Sequence, residues 1–304
     1  MRDFKETPQY RSFQRRQRER KRYDRLLRDE YRSLYSNDAG EAVLRESIVA
    51  YIDDLGTKSR VASLTDGSLR EGIAHLERLR HFLDGRWGTS LNSHRRLLSF
   101  SDNVVVGSPL DPTVDDAGVM DLVSSVVAYQ CNMTARHGRF LRGGIALGPL
   151  YIDDRLVIGQ GLVDAVFIEE HNAVYPRVLV APDAVQLTID SDKRWKRHKS
   201  SSGAYLWLLV DEDDWYFLDY LRAGEADELP GQAEEAMTEH RARVVSGLAA
   251  HSAPGRIRDK YVWAAHYHNY VASERFPSEA SFPITAELTQ AELASPRQFR
   301  AVDL

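Results

Sequence analysis

The sequence predicts an α+β fold, an antiparallel-rich sheet with helices on one face, continued by a C-terminal β-hairpin and helical extension. Three observations predict it. Short apolar runs rich in β-branched residues recur at strand length, at 47–55, 97–107, 140–151 and 175–180. The segments between them step their apolar residues by three and four, which builds one helix face. The resulting order of strand, helix, strand–strand, helix, strand, helix, strand interleaves the two kinds as an α+β sheet requires.

Taken in order, residues 1–40 are expected to form a basic, partly helical arm. Arg15, Arg16, Arg18, Arg20, Lys21, Arg22 and Arg25 alternate there with Glu19, Tyr23, Asp24 and Tyr31, a pattern of solvated faces that could also dock on the main domain or on a partner subunit. The main domain is expected over 41–190. Its first strand ends at Asp53-Asp54-Leu55-Gly56. A capping box at Ser68–Glu71 then opens a helix with the stripe Leu69, Ile73, Leu76, Leu79 and Leu83, stopped by Gly85. A hairpin over 95–107 follows, with Asp102 at its tip. A second helix over 115–137 turns Val119, Leu122, Val123, Val126, Val127 and Cys131 inward and stops at Gly138. The strand from Phe140 carries Gly143 and Gly144, small residues suited to close backbone approach. A helix over 162–171 and a strand over 175–180 complete the domain. The extension, 191–304, is expected to hold two strands (205–210 and 215–220), helices over 230–251 and 254–271, and a loosely ordered tail.

The totals exclude several classes. With 43% hydrophobic and 28% charged residues the chain is an ordinary globular protein. Its net charge of −5 argues against nucleic-acid affinity of the whole molecule. One cysteine, Cys131, rules out a disulfide framework and a cysteine-based zinc site and fits a cytoplasmic protein. No apolar run is long enough to span a membrane.

Two acids stand out because each terminates or interrupts a strand too apolar to be a loop. Asp53 and Asp102 converge at one sheet edge if their strands are neighbours. Hard-oxygen ligands gathered there suit Mg²⁺ or Mn²⁺, with the open positions left to water and phosphate. The competing reading is a turn, the role expected of Asp115-Asp116, Asp153-Asp154 and Asp213-Asp214. His266 and His268 fall on different faces of one helix, which makes aromatic packing their expected role.

Four motifs in order resemble one family, the class III nucleotide cyclases, over about residues 45–185. Tyr51-Ile52-Asp53-Asp54-Leu55-Gly56 is similar to its first metal motif and Phe100-Ser101-Asp102-Asn103-Val104-Val105 to its second. Leu141-Arg142-Gly143-Gly144-Ile145-Ala146-Leu147-Gly148 is similar to the strand Arg-x-Gly-Ile-x-x-Gly, and Gly159 to Glu169, with Ala165 between, to the helix that follows it. The resemblance implies a ferredoxin-like catalytic domain and two Mn²⁺ or Mg²⁺ ions held by Asp53 and Asp102, with the carbonyl of Asp54 as a further ligand. It implies a homodimer with sites shared between subunits. Asp53, Asp102 and Arg142 are the expected catalytic residues, and Tyr51, Leu55, Gly56, Thr57 and Arg96 the expected nucleotide contacts.

Departures narrow the resemblance. Val163 and Phe167 stand where the family carries the Asn and Arg that position ribose and stabilise the transferring phosphate, and Leu98 and Leu156 where purine-reading residues fall. Arg142, Arg96 and Lys58 are the candidates to replace that Arg. For Arg142 a structural salt bridge is the competing role, and for Tyr51 plain core packing competes with narrowing the base pocket. The whole pattern is most similar to the pyrimidine cyclases of the Pycsar anti-phage systems. That implies conversion of UTP, or else CTP, to a cyclic nucleotide that acts on a separate effector. A purine cyclase with an altered pocket, and a degenerate nucleotide-binding domain, are the alternatives.

Overall fold

The computed structural model describes residues 34–57, 96–100, 103–110, 117–153, 155–198, 208–222 and 231–302, with isolated residues between 62 and 73. The basic arm to residue 33, most of the 68–85 helix, Lys58 and Asp102 lie outside the described residues, as does the side chain of Arg96.

Among the described residues nine strands form one sheet: β1 (Arg45–Asp54), β2 (Arg96–Phe100), β3 (Asn103–Pro109), β4 (Leu141–Ile152), β5 (Val157–Ile158), β6 (Val178–Val180), β7 (Leu208–Asp211), β8 (Tyr216–Leu218) and β9 (Phe299–Ala301). Their order is β2-β3-β1-β4-β6-β8-β7-β9, with β5 paired to β4, and every pairing but β4–β6 is antiparallel. β1 is central because it can be buried on both faces. Ile48, Ala50 and Ile52 enter one apolar cluster and Val49 another.

On the first face lie α1 (Ala117–His137) and α3 (Pro182–His198), whose Leu122, Val126 and Ala184 pack with Ile48, Ile52, Ile145 and Val178. This is the helix layer that the sequence pattern predicts. The opposite face takes α2 (Gln160–His171) and α5 (Arg256–Arg275), while α4 (Gln232–Ala250) packs on α5 and reaches the end of α1, where Arg243 donates to the carbonyls of Ala135 and Arg136. Their Ala165, Ile168, Met237, Val244, Trp263 and Tyr267 share a cluster with Leu179, Leu209 and Phe217 of the sheet. The extension therefore covers a second face of the same sheet, and β8 joins it directly to β6.

Two expectations are corrected. The polar stretch from Asp190 lies inside α3, which starts on the core with Ala184, Val185, Leu187 and Ile189 and continues through the charged residues after Asp190. The tail expected to be loosely ordered is packed. Phe282, Ile284, Leu288 and Phe299 are buried, α6 (Gln290–Ala294) carries a capping box on Thr289 and Glu292, and β9 pairs with β7. The tail is ordered because Phe299 seats edge-on against Phe217 and Trp263 and extends the aromatic core.

Candidate active site

β1 reaches its end beside the start of β4, with Asp53 opposite Arg142 and Asp54 opposite Leu141. Alternation along the strand sends the two carboxylates to opposite faces. Asp53 meets Arg142, whose Nε donates to Asp53 Oδ2 at 3.2 Å. The same Nε lies 2.6 Å from Glu169 Oε1 on α2. The three side chains form a chain of alternating charge that ends in a carboxylate only 3% exposed. Burial pushes the Glu169 carboxyl up to about 7, against the pull of Arg142.

This approach of helix to strand depends on Gly144. A Cβ there would strike the carbonyl oxygen of Ala165 and the side chain of Ile168. Any larger residue would lift α2 off β4 and carry Glu169 away from Arg142.

Asp54 sits apart from this cluster. Its side chain is buried on the α1 face, where Oδ2 accepts from Arg139 at 3.3 Å and its charge raises the pKa of the Tyr129 phenol, after burial. The Asp54 carbonyl accepts from the Thr57 hydroxyl at 3.1 Å, and Gly56 adopts a φ of 88° to turn the chain there. Leu55 packs on the core of the extension face.

The hairpin that carries Asp102 closes between Phe100 and Asn103, which are paired. β3 runs antiparallel to β1 with Ile52 opposite Val104, so Asn103, the first residue of β3, lies at the Asp53 end of β1. Tyr51 is half-buried and its hydroxyl donates to Asn103 Oδ1 at 2.8 Å. Its ring packs against the core and its hydroxyl reaches the hairpin. Leu98 is half-buried against the cluster around Val49, and Arg96 lies in β2 opposite Gly107.

Val163 and Phe167 project from α2 and are each 57% exposed. Leu156, Ile158 and Val174 are also largely exposed and lie in the chain on either side of that helix.

Among the described residues no group of three or more His, Cys, Asp or Glu side chains is gathered as a metal site. The donors present at the strand end, the Asp53 carboxylate and the Asp54 carbonyl, are hard oxygens of the kind that Mg²⁺ and Mn²⁺ take. In the described state Asp53 is shared with Arg142, so an ion bound there would have that guanidinium beside it.

Sequence reasoning missed two contributors. Glu169 served only as a motif landmark, though it holds Arg142. Lys260 of α5 lies within electrostatic reach of Asp53, Arg142 and Glu169, and no local pattern points there.

No protein-family model and no curated protein matches the sequence. Several solved structures are similar. The adenylyl cyclase CyaB from P. aeruginosa shares 16% identity at a TM-score of 0.41, over 58% of this chain and 94% of that one. The guanylyl cyclase Cya2 shares 11% at 0.37, over 58% and 91%. A bacterial light-regulated adenylyl cyclase shares 12% at 0.35, over 64% and 98%.

Proposed function

We propose that this chain is a nucleotide cyclase of the class III type. Its reading as a pyrimidine cyclase, making cyclic UMP or else cyclic CMP as an anti-phage messenger, rests on the motif resemblance. The observation that carries the enzymatic reading is the Asp53–Arg142 pair at the open end of β1, close to Asn103 at the start of β3. An acid and a guanidinium at the end of a central strand, with the acid one-fifth exposed, form a place for a metal-bound triphosphate.

The reaction is intramolecular. The ribose 3′-oxygen attacks the α-phosphorus, its proton passes to solvent, and the bond to the bridging oxygen breaks to release pyrophosphate. Asp53, Asp102 and the Asp54 carbonyl would hold the divalent ions, which when bound lower the pKa of the 3′-hydroxyl and offset the charge of the leaving group. Arg142 serves the phosphates as a fork of donors. Glu169 orients it from behind and is a positioning residue. Tyr51, on the face of β1 that carries Asp53, bounds the base.

Two further observations bear on the finer reading. Apolar Leu98 and Leu156, in place of purine-reading residues, support a pyrimidine. The exposed apolar residues Ile158, Val163, Phe167 and Val174 support a homodimer in which a second copy covers that surface. Val163 and Phe167 also favour the second reading, a domain that binds a nucleotide without turning it over, because neither can hydrogen-bond a ribose or a phosphate.

Incubation with each of the four triphosphates and Mn²⁺, with products identified by mass, tests both. Cyclic UMP or CMP with release of pyrophosphate is the expected result. A cyclic purine product overturns the pyrimidine assignment, and binding without any product leaves the second reading.

A further inference from the structure

The extension brings to this site a second cation beside Arg142 of β4. Lys260 lies in the second turn of α5, a part of the helix that is pinned from several sides. Arg258 donates to both carboxylate oxygens of Glu292 at 2.8 Å and to the carbonyls of Leu248 and His251 at 3.3 Å. Tyr261 sets its ring edge-on against Phe140 at 5.3 Å between centroids. Gly247 of α4 makes room for that ring, since a Cβ there would overlap it. Phe140 leads into β4, and its carbonyl accepts from the amide of Leu55 at 2.9 Å. The start of α5 is thus fixed beside the strand ends that carry Asp53 and Arg142.

Lys260 is half-buried, and among the described residues it makes no hydrogen bond or ion pair. It senses the charges of Arg142, Asp53, Arg256 and Glu169. Burial, and then Arg142, pull its pKa below the usual lysine range. The nearby carboxylates are already engaged with Arg142. A half-buried ammonium in that position gains from an anion delivered on binding. Arg256, four residues earlier, lies on the same helix face and is exposed.

We infer that Lys260 is a phosphate-binding residue of this site, offered in cis by the C-terminal extension beside Arg142 to the triphosphate chain of the substrate. The inference rests on the nucleoside triphosphate reading above and deepens it.

Calorimetric titration of the full chain with inorganic tripolyphosphate tests it apart from turnover. Lys260→Ala is expected to weaken binding about tenfold, as loss of one charge-assisted hydrogen bond does. In steady-state cyclisation it should raise KM by a similar factor with a smaller change in kcat. Lys260→Arg should retain binding, and the distant exposed variant Arg300→Ala should match the wild type. If Lys260→Ala loses its circular dichroism signature, Lys260→Met keeps the packed stem and removes the same charge. Undiminished tripolyphosphate binding by a folded Lys260 variant overturns the inference alone. Loss of binding in that variant while the wild type binds tripolyphosphate but makes no cyclic product supports it and overturns the cyclase reading instead. A wild type that binds no tripolyphosphate overturns the inference and leaves the cyclase reading to the product assay.

Discussion

Two of the ionic clusters on this sheet differ in how completely they are closed. The first joins β6, β7 and the tail. Arg177, fully buried, pairs with Asp211 and Asp213. Asp211 also accepts from Trp263 Nε1 at 2.8 Å, from Arg297 Nε at 2.5 Å and from the amide of Glu212 at 2.8 Å. Arg297 additionally lies 4.4 Å from the ring centroid of Tyr175. Both oxygens of a carboxylate with no solvent exposure are thus engaged by four donors, three of them distant in the chain. The second cluster, Asp53–Arg142–Glu169, is one-fifth to one-quarter exposed at Asp53 and Arg142 and has Lys260 beside it without an ion-pair partner among the described residues. Closure of the first gives a clasp that ties the tail to the sheet. Openness of the second leaves room for charge to arrive from outside.

Breaking the clasp should cost most. Asp211→Ala leaves Arg177 buried with only part of its pairing and is expected to destabilise the fold by about 3–5 kcal/mol, measured by urea unfolding. An equal effect from Asp53→Ala would erase the contrast.

A third buried cluster, neutral rather than ionic, sharpens it through pH. His240 and His268 face each other at 3.0 Å between Nδ1 atoms, with Tyr220 and the carbonyl of Phe282 on their outer nitrogens. Burial holds both pKa values down, His268 to about 4. The unfolded chain takes up protons below its ordinary histidine pKa while the fold does not, so stability is full above about pH 6.5 and falls as pH drops toward 4. At pH 4 the loss attributable to His268 is about 3 kcal/mol. A thermal melting point that stays level from pH 7 to 4.5 would contradict this burial.

Asp53→Ala should change stability by less than about 1 kcal/mol, because its ion pair is partly solvated. Product formation in the same variant should fall at least a hundredfold, on the scale of losing a group that stabilises transition-state charge. Retained turnover would remove Asp53 from the metal role. Smallest of all, Arg300→Ala breaks an exposed pair with Asp214 and should shift stability by less than about 0.5 kcal/mol.

Much of the fold was legible in order along the chain. β1 and β4 announce themselves as apolar runs of strand length, buried on both faces, and α1 by its step of three and four. Asp53 and Arg142 were legible too, because an acid at the end of an apolar strand and an arginine before paired glycines are local signals. α3 was not, as its apolar residues Val185, Leu187 and Ile189 occupy only its first turns and the rest of the helix is strongly charged. The tail was not, because its order comes from Phe299 and Arg297 reaching partners far back in the chain.

The sequence by itself determined the strand that ends in Asp53, the hairpin after it and the helices whose stripes are apolar. Those depend on neighbours within a few residues. Only the tertiary structure decided that Asp54 turns away to Arg139, that Glu169 holds Arg142, and that Lys260 arrives from the far end of the chain. Charge pairing across a sheet depends on which strands and helices come together, and no short stretch of sequence contains that information.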